Sequence, residues 1–328
     1  MNYEREKRAA MAAVSRAAAL CQLVRAELVV TSLEKDDRSP VTVADFGSQA
    51  LVCQHLSEAF PQDVIVAEED SADLRQHPAQ LELVTRFVQR FQPGATASAV
   101  CNWIDAGNGA VSERYWTLDP IDGTKGFLRN DQYAIALALV EKGQVKVAAL
   151  ACPALLRRLA EPGGETGMVF VAGQGEGAAM AALGSPVFAS IQVSRATNDP
   201  QARFVESVES AHGHHELQQA VARAVGISRP SLRMDSQAKY GAVARGDAVL
   251  YLRLPSPKSP DYREKIWDHA AGALIVEEAG GRVTDMFGRP LDFASGHKMA
   301  GNQGVVVSNG LLHAAVLEAL AKRVERGA

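Results

Sequence analysis

An α+β first half running into an α/β second half is the fold class that three features of the sequence predict. The chain opens on a long Ala-rich amphipathic segment, its middle carries two apolar runs separated only by Glu141, Lys142 and Gly143, and from Ile191 onward strand-like and helix-like segments alternate. A tight separation between apolar runs marks an antiparallel hairpin, whereas alternation marks strand–helix units. Ala13, Ala17, Leu20, Val24 and Leu28 recur near helical spacing and predict the first helix. A second helix is expected from a cap at Thr42 through Phe46, Ala50, Leu51 and Leu56 to Pro61, with Asp45 in its first turn. Residues 63–67 (DVIVA) read as a buried strand that ends at Glu68, Glu69 and Asp70. Residues 71–93 carry Leu81, Val84, Phe87 and Val88 in a helical pattern, and the small, polar, Gly-containing stretch 94–112 reads as a surface loop. Residues 115–118 form a strand leading into Asp119, and 133–140 with 144–150 supply the hairpin of the same antiparallel sheet.

Residues 161–186 contain seven glycines, and GQGEG within them invites a dinucleotide-binding reading. The motif lacks the full spacing and a following helix, so a turn between two short strands is the simpler expectation. In the second half, strands are expected at 204–208, 249–254, 282–285 and 305–308. Helices are expected at 216–225, 240–244, 267–279 and 310–326, the first ended by Gly226 and the third by Gly280 and Gly281. The expected units are 1–155, bearing most of the acidic candidates, and 156–328.

With 328 residues and 47% hydrophobic content, the chain can bury a large core. Its net charge of −4 gives no electrostatic footprint for long nucleic acid. Cys21, Cys53, Cys101 and Cys152 include no CxxC pair, which argues against a zinc knuckle or redox dithiol and for buried reduced thiols. The N-terminal segment has charges spread through it, so it reads as a helix rather than a signal peptide, and no apolar run approaches the roughly 20 residues of a membrane span. A cytoplasmic enzyme with no membrane partner is the expectation.

Chemistry concentrates in WTLDPIDGTKGF, residues 116–127. Asp119 and Asp122 are hard oxygen ligands of the kind Mg²⁺ prefers, and Pro120 restricts the backbone so that the Ile121 carbonyl can point into the same site. Gly123 lets the chain approach a phosphate closely, and a turn starting at Thr124 offers free N–H groups to it. On spacing alone an Asx-rich turn with Thr124 capping a short helix is also open. Asp45, Glu68 and Asp268 sit at the ends of other expected elements. Each alone is equally explained as a capping partner, a solvated strand end or a helix-dipole residue.

Taken together, AEED, DPIDGTKGF and WDHAAGALIVEEAGG resemble the lithium-sensitive, magnesium-dependent phosphatase superfamily that includes the inositol monophosphatases. The resemblance covers most of the chain and implies a layered αβαβα sandwich of the sugar-phosphatase type. It also implies Glu68, Asp119, the Ile121 carbonyl, Asp122 and Asp268 as ligands of two or three Mg²⁺ ions, with Asp45 and Thr124 holding the attacking water. Ala67 departs from the Gly that many relatives have before the acidic pair, which bears on local backbone geometry. Such a site suits direct in-line attack of activated water on a phosphomonoester, without a covalent nucleophile.

The segments SPVTVADFGSQALV, SVESAHGHH, DSQAKY and YLRLP are further similar to the 3′(2′),5′-bisphosphate nucleotidases of that superfamily. This implies a small nucleotide bisphosphate as substrate, with Gly123, Thr124, Glu209, His212, Ser236, Lys239, Arg253 and Asp268 in contact with it. Elementary electrostatics agrees, because a second phosphate needs its own cations and Lys239 with Arg253 offers a point charge and a planar fork. Solvated Lys239 and an Arg253 that covers a strand with its stem are the bland readings. The cluster His212, His214 and His215 fits nucleotide contact better than a softer metal, since the carboxylates already suit Mg²⁺. Inositol polyphosphate 1-phosphatase or inositol monophosphatase activity is the alternative within the superfamily, and a non-hydrolytic nucleotide sensor is the alternative outside it.

Overall fold

Helices α1 (Glu4–Val24) and α2 (Ser39–Ala59) pack together on one face of a sheet in the computed structural model, which describes residues 3–29, 39–159, 161, 163–195, 202–209 and 214–327. That sheet holds β1 (Val64–Ala67), β2 (Arg114–Asp122), β3 (Ala134–Glu141), β4 (Gln144–Leu156), β5 (Thr166–Gly173), β6 (Gly177–Ala182) and β7 (Ala189–Ile191) in that spatial order. Period-2 alternation in β3 explains its position: Ile135, Leu137 and Leu139 enter the core shared with α1 and α2, while Ala134, Ala136, Ala138 and Val140 enter a second core. The second core contains α8 (Ala238–Ala244) and α9 (Ala270–Glu278). The small Ala side chains of β3 leave room for α9 to approach.

Beyond α8 and α9 lies a second sheet, made of β8 (Phe204–Glu206), β9 (Leu232–Arg233), β10 (Leu250–Arg253), β11 (Arg282–Thr284) and β12 (Val305–Ser308) in the order β11-β12-β10-β8-β9. Tyr251, Val305 and Val307 face the helices, whereas Leu250, Leu252 and Val306 face a third core with α7 (His215–Ala224) and α10 (His313–Gly327). Residues 270–276 of α9 are all buried because a sheet lies on each side of the helix. The layers therefore read α1α2, sheet, α8α9, sheet, α7α10, which is the αβαβα sandwich the resemblance implies. Trp116 shows what anchors one layer: it is fully buried, packs at a tilt against Phe60 with ring centroids 5.5 Å apart and donates from Nε1 to Asp63 Oδ2 at 3.0 Å. Burial of one such side chain is worth on the order of 1.5–3 kcal/mol.

Several elements differ from their sequence expectation for identifiable reasons. Helix α2 begins at Ser39, with Pro40 tolerated in its first turn, so Thr42 is not the cap and Asp45 lies one turn deeper than expected. The single helix expected over 71–93 is split into α3 (Ala72–Gln76) and α4 (Pro78–Gln89), because Pro78 cannot continue a helix but can start one. The expected loop 94–112 contains α5 (Ala97–Asp105), whose N-cap Thr96 accepts from the Ala99 N–H at 3.2 Å. These helices make the crossover that lets β1 pair with β2 in parallel, whereas β2 to β7 pair antiparallel. The first sheet continues past residue 155 through β5, β6 and β7. The GQGEG segment is the β5–β6 hairpin turn, and its Gly175 and Gly177 N–H groups donate to the Glu278 carboxylate at 2.7 and 2.8 Å. An internal carboxylate thus fills the backbone nest that a dinucleotide reading would give to a phosphate.

Candidate active site

Helix α2 lays one face against the site, since Asp45, Ser48 and Gln49 stand at i, i+3 and i+4. Ser48 Oγ donates to the Pro120 carbonyl at 2.9 Å, and the Glu69 N–H donates to Gln49 Oε1 at 3.0 Å, so α2 fixes the chain just beyond β1 and inside β2. Parallel pairing of β1 with β2 sets Ala67 opposite Leu118, which carries Glu68 to the side of Asp119 across one inter-strand step. The DPID segment is strand rather than turn. Its register slips between Asp119, opposite Ala136, and Asp122, opposite Ala134, so one extra residue is accommodated in β2. Residues three apart on a regular strand face opposite sides; the bulge brings Asp119 and Asp122 to the same side, and Pro120 withholds no ladder donor there.

Both halves of the chain then line one cavity of about 310 Å³, including Glu68, Asp119, Ile121, Asp122, Gly123, Thr124, Glu209, Ser236, Lys239, Arg253 and Asp268. Gly123 adopts φ +88° and a Cβ there would lie 2.9 Å from the Ser236 Cβ, which explains the glycine. Thr124, opening α6 (Thr124–Leu128), donates from Oγ1 to the Ile121 carbonyl at a long 3.5 Å. Lys239 is 2% exposed and donates from Nζ to the Ser236 carbonyl at 2.8 Å. Arg253, at the end of β10, has Nε 2.7 Å from Glu264 Oε2 and Nη2 3.8 Å from Asp268 Oδ2. Asp268 sits in the turn before α9, which starts later than the expected 267.

Two placements depart from the simple picture of the sequence. Asp45 is partly buried behind the cavity wall instead of lining it, close enough to Glu68 and Glu69 to feel their charge. Glu209 lines the cavity but is ion-paired, 3.1 Å from Lys125 Nζ and bonded to Arg129, and these two cations hold its carboxyl below the usual range. His212 lies outside the described residues. Ser48, Gln49 and Lys125 were not among the sequence candidates; the i, i+3, i+4 relation to Asp45 was the available signal for the first two.

The carboxylates repel one another strongly. Burial, then Asp268, Glu69 and Asp122, push Glu68 up to about 8; burial and Asp268 push Asp122 up to about 6 against the opposing pull of Lys239 and Arg253. Burial followed by Glu68, Asp122 and Asp268 raises Asp119 well above the carboxylate range, and burial with Glu69 and Glu68 does the same to Asp45. Burial also brings Lys239 down to about 8, with Asp122 opposing. Asp119 Oδ1 is buried with no hydrogen-bond partner among the described residues. An orphaned acceptor amid all-oxygen donors of like charge fits a hard divalent cation. Glu264, Asp268 and His269 also bring ligand atoms within 4.8 Å of one another, but Glu264 is engaged by Arg253 and His269 Nδ1 lies 2.6 Å from the Tyr240 hydroxyl.

Chelation of divalent cations is expected to expose this repulsion as pH-dependent stability. Glu68 titrates near 8 in the folded chain against an ordinary 4.5, and Asp122 near 6 against 3.8, so the folded state holds the extra protons between those limits. Stability of the chelated protein therefore falls as pH rises from about 4 through 8. Melting temperatures recorded in EDTA across that range check this, and a profile that is flat or rises would contradict it.

Known proteins place this architecture. The model of the inositol monophosphatase family matches residues 2–325. The 3′(2′),5′-bisphosphate nucleotidase of Schizosaccharomyces pombe is 43% identical over 343 residues, covering 98% of this chain and 96% of that protein. The 3′(2′),5′-bisphosphate nucleotidase 1 of Arabidopsis thaliana is 46% identical over 305 residues, covering 85% of each. Among solved structures, an inositol monophosphatase from Zymomonas mobilis aligns with a TM-score of 0.63 at 20% identity, covering 98% of this chain and 99% of that one. The family is generally metal-dependent, and magnesium dependence and lithium sensitivity are usual in it. This chain belongs to the inositol monophosphatase family, among relatives named 3′(2′),5′-bisphosphate nucleotidases.

Proposed function

We propose that the protein is a Mg²⁺-dependent phosphomonoesterase that removes the 3′-phosphate of 3′-phosphoadenosine 5′-phosphate, releasing adenosine 5′-phosphate and inorganic phosphate. The observation that carries this reading is the single cavity in which Glu68, Asp119, Asp122 and Asp268 converge beside Lys239 and Arg253. Glu68, Asp119, the Ile121 carbonyl, Asp122 and Asp268 would hold two or three Mg²⁺ ions. When bound, such ions lower the pKa of water and neutralise phosphoryl and leaving-group oxygens.

The chain's own groups do the rest. Thr124 Oγ1 lines the cavity and would orient the attacking water, and Asp45, set behind the cavity wall with its proton affinity raised by burial and by Glu69 and Glu68, would take up the proton. Gly123 lets the scissile phosphate lie against the backbone. Lys239 and Arg253 neutralise the second phosphate; Arg253 keeps its charge because Glu264 and Asp268 outweigh the opposing effect of burial. Ser236 and Asp268 border the phosphate and ribose region, and Glu209 belongs to the nucleotide side. A cytoplasmic setting is supported by four buried free thiols, and among the described residues no helix is long and apolar enough to cross a membrane.

Inositol phosphates are the alternative substrates, favoured only by solved neighbours that share the fold at about 20% identity. Incubation of the protein with 3′-phosphoadenosine 5′-phosphate and Mg²⁺ is expected to yield adenosine 5′-phosphate and one equivalent of phosphate by chromatography. Adenosine 3′-phosphate as product would contradict the orientation, and tight binding without phosphate release would make the protein a nucleotide sensor.

A further inference from the structure

We infer that Gln237 is a positioning residue that fixes the two halves of the metal site relative to each other. The inference rests on the proposed ligand set, because its object is the distance between Asp122 in the first sheet and Asp268 ahead of α9. Gln237 is 1% exposed and bonds to Asp122 and to the Trp267 carbonyl that precedes Asp268. Its backbone N–H donates to Asp122 Oδ2 at 2.6 Å. Its side-chain Nε2 donates to the Trp267 carbonyl at 2.9 Å, and its Oε1 accepts from the Gly272 N–H at 3.1 Å. One residue thus grips the end of β2, the peptide group entering Asp268 and an otherwise orphaned donor in the first turn of α9.

The grip is prepared by the local chain. Ser236 adopts φ +65°, a left-handed conformation uncommon for serine, and this turns the following N–H toward Asp122. The Gln237 carbonyl accepts from the Tyr240 N–H at 2.9 Å and so opens α8. From α8 the Tyr240 hydroxyl reaches His269, whose Nε2 lies 3.2 Å from Glu264. Asp268 is consequently flanked by Trp267, held by Gln237, and His269, held by Tyr240. Gly272 permits this packing, since a Cβ there would lie 2.3 Å from Tyr240 Cγ. Asp122 and Asp268 carry like charges and would move apart if the peptide between them were free.

Outer-shell hydrogen bonds of this kind govern metal affinity by roughly 10- to 100-fold. Calorimetric titration of the cation-free full chain with MgCl₂ alone tests the role. Gln237→Ala is expected to weaken Mg²⁺ binding by about 10-fold or more, and its turnover is expected to recover as Mg²⁺ is raised. Gln237→Glu keeps the side-chain volume and the acceptor for Gly272 but loses the donor to Trp267; a smaller loss of Mg²⁺ affinity is expected, and this variant decides the matter if Gln237→Ala does not fold. Unchanged Mg²⁺ affinity in a folded variant overturns the inference, as does lost turnover that no Mg²⁺ concentration restores. Absence of Mg²⁺ binding by the unaltered protein would instead overturn the ligand assignment itself.

Discussion

Asp122→Asn should lower turnover by more than about 100-fold while leaving a folded protein, because even outer-shell partners of a metal ligand are worth roughly 10–100-fold and Asp122 is assigned as a ligand itself. The substitution preserves volume, and the Asn carbonyl oxygen can still accept from the Gln237 N–H that Asp122 receives at 2.6 Å. It also removes one of the like charges that raise Glu68 and Asp119. The chelated variant is therefore expected to melt no lower than the chelated parent above pH about 6, where the parent carboxyl ionises. Steady-state kinetics with saturating Mg²⁺, alongside melting curves in EDTA, separate the two effects. Near-normal turnover would remove Asp122 from the metal site, and a collapse of the melting temperature would make its role structural.

Loss of the second-phosphate cation should instead fall on substrate recognition. Lys239 is buried beside Asp122 and Arg253, and a charge-assisted hydrogen bond contributes roughly 1.5–3 kcal/mol. Lys239→Ala is thus expected to raise KM for the nucleotide bisphosphate about 10- to 100-fold, with a much smaller change for a nucleotide carrying only the scissile phosphate. Truncation also leaves the Ser236 and Met234 carbonyls without the Nζ donor they share. Lys239→Met, which keeps the unbranched stem, controls for packing. Equal losses on both substrates would refute the assignment.

The layered fold was reached through the family resemblance; the alternation of Ile135, Leu137 and Leu139 with Ala134, Ala136 and Ala138, which builds two cores on two faces of one sheet, is seen in the folded chain. Glu68, Asp119, Asp122 and Asp268 do meet at one cavity, and the sequence singled them out through the resemblance, since each alone also reads as a capping partner, a strand end or a helix-dipole residue. The bulge between Asp119 and Asp122 was not legible, since spacing gives the number of residues and not the parity with which a strand presents them. Ser48 and Gln49 escaped notice because their partners are Pro120, Glu69 and Ile104, reached only after folding, and all three of those contacts are to main-chain atoms indistinguishable by residue type. Pro78 and Thr96 did carry readable signals for the α3–α4 break and the α5 start, but small polar composition outweighed them. The pairing of Glu209 with Lys125 and Arg129 joins residues 80 or more positions apart, beyond any local pattern.

The central claim is that the cavity is built for a phosphate ester bearing a second phosphate on a nucleotide. Its most direct test is the ratio of kcat/KM for 3′-phosphoadenosine 5′-phosphate to that for inositol 1-phosphate and inositol 1,4-bisphosphate, measured with one protein preparation at one Mg²⁺ concentration. The proposed roles of Lys239 and Arg253 predict that the nucleotide bisphosphate is turned over fastest. Faster turnover of either inositol phosphate would contradict the claim.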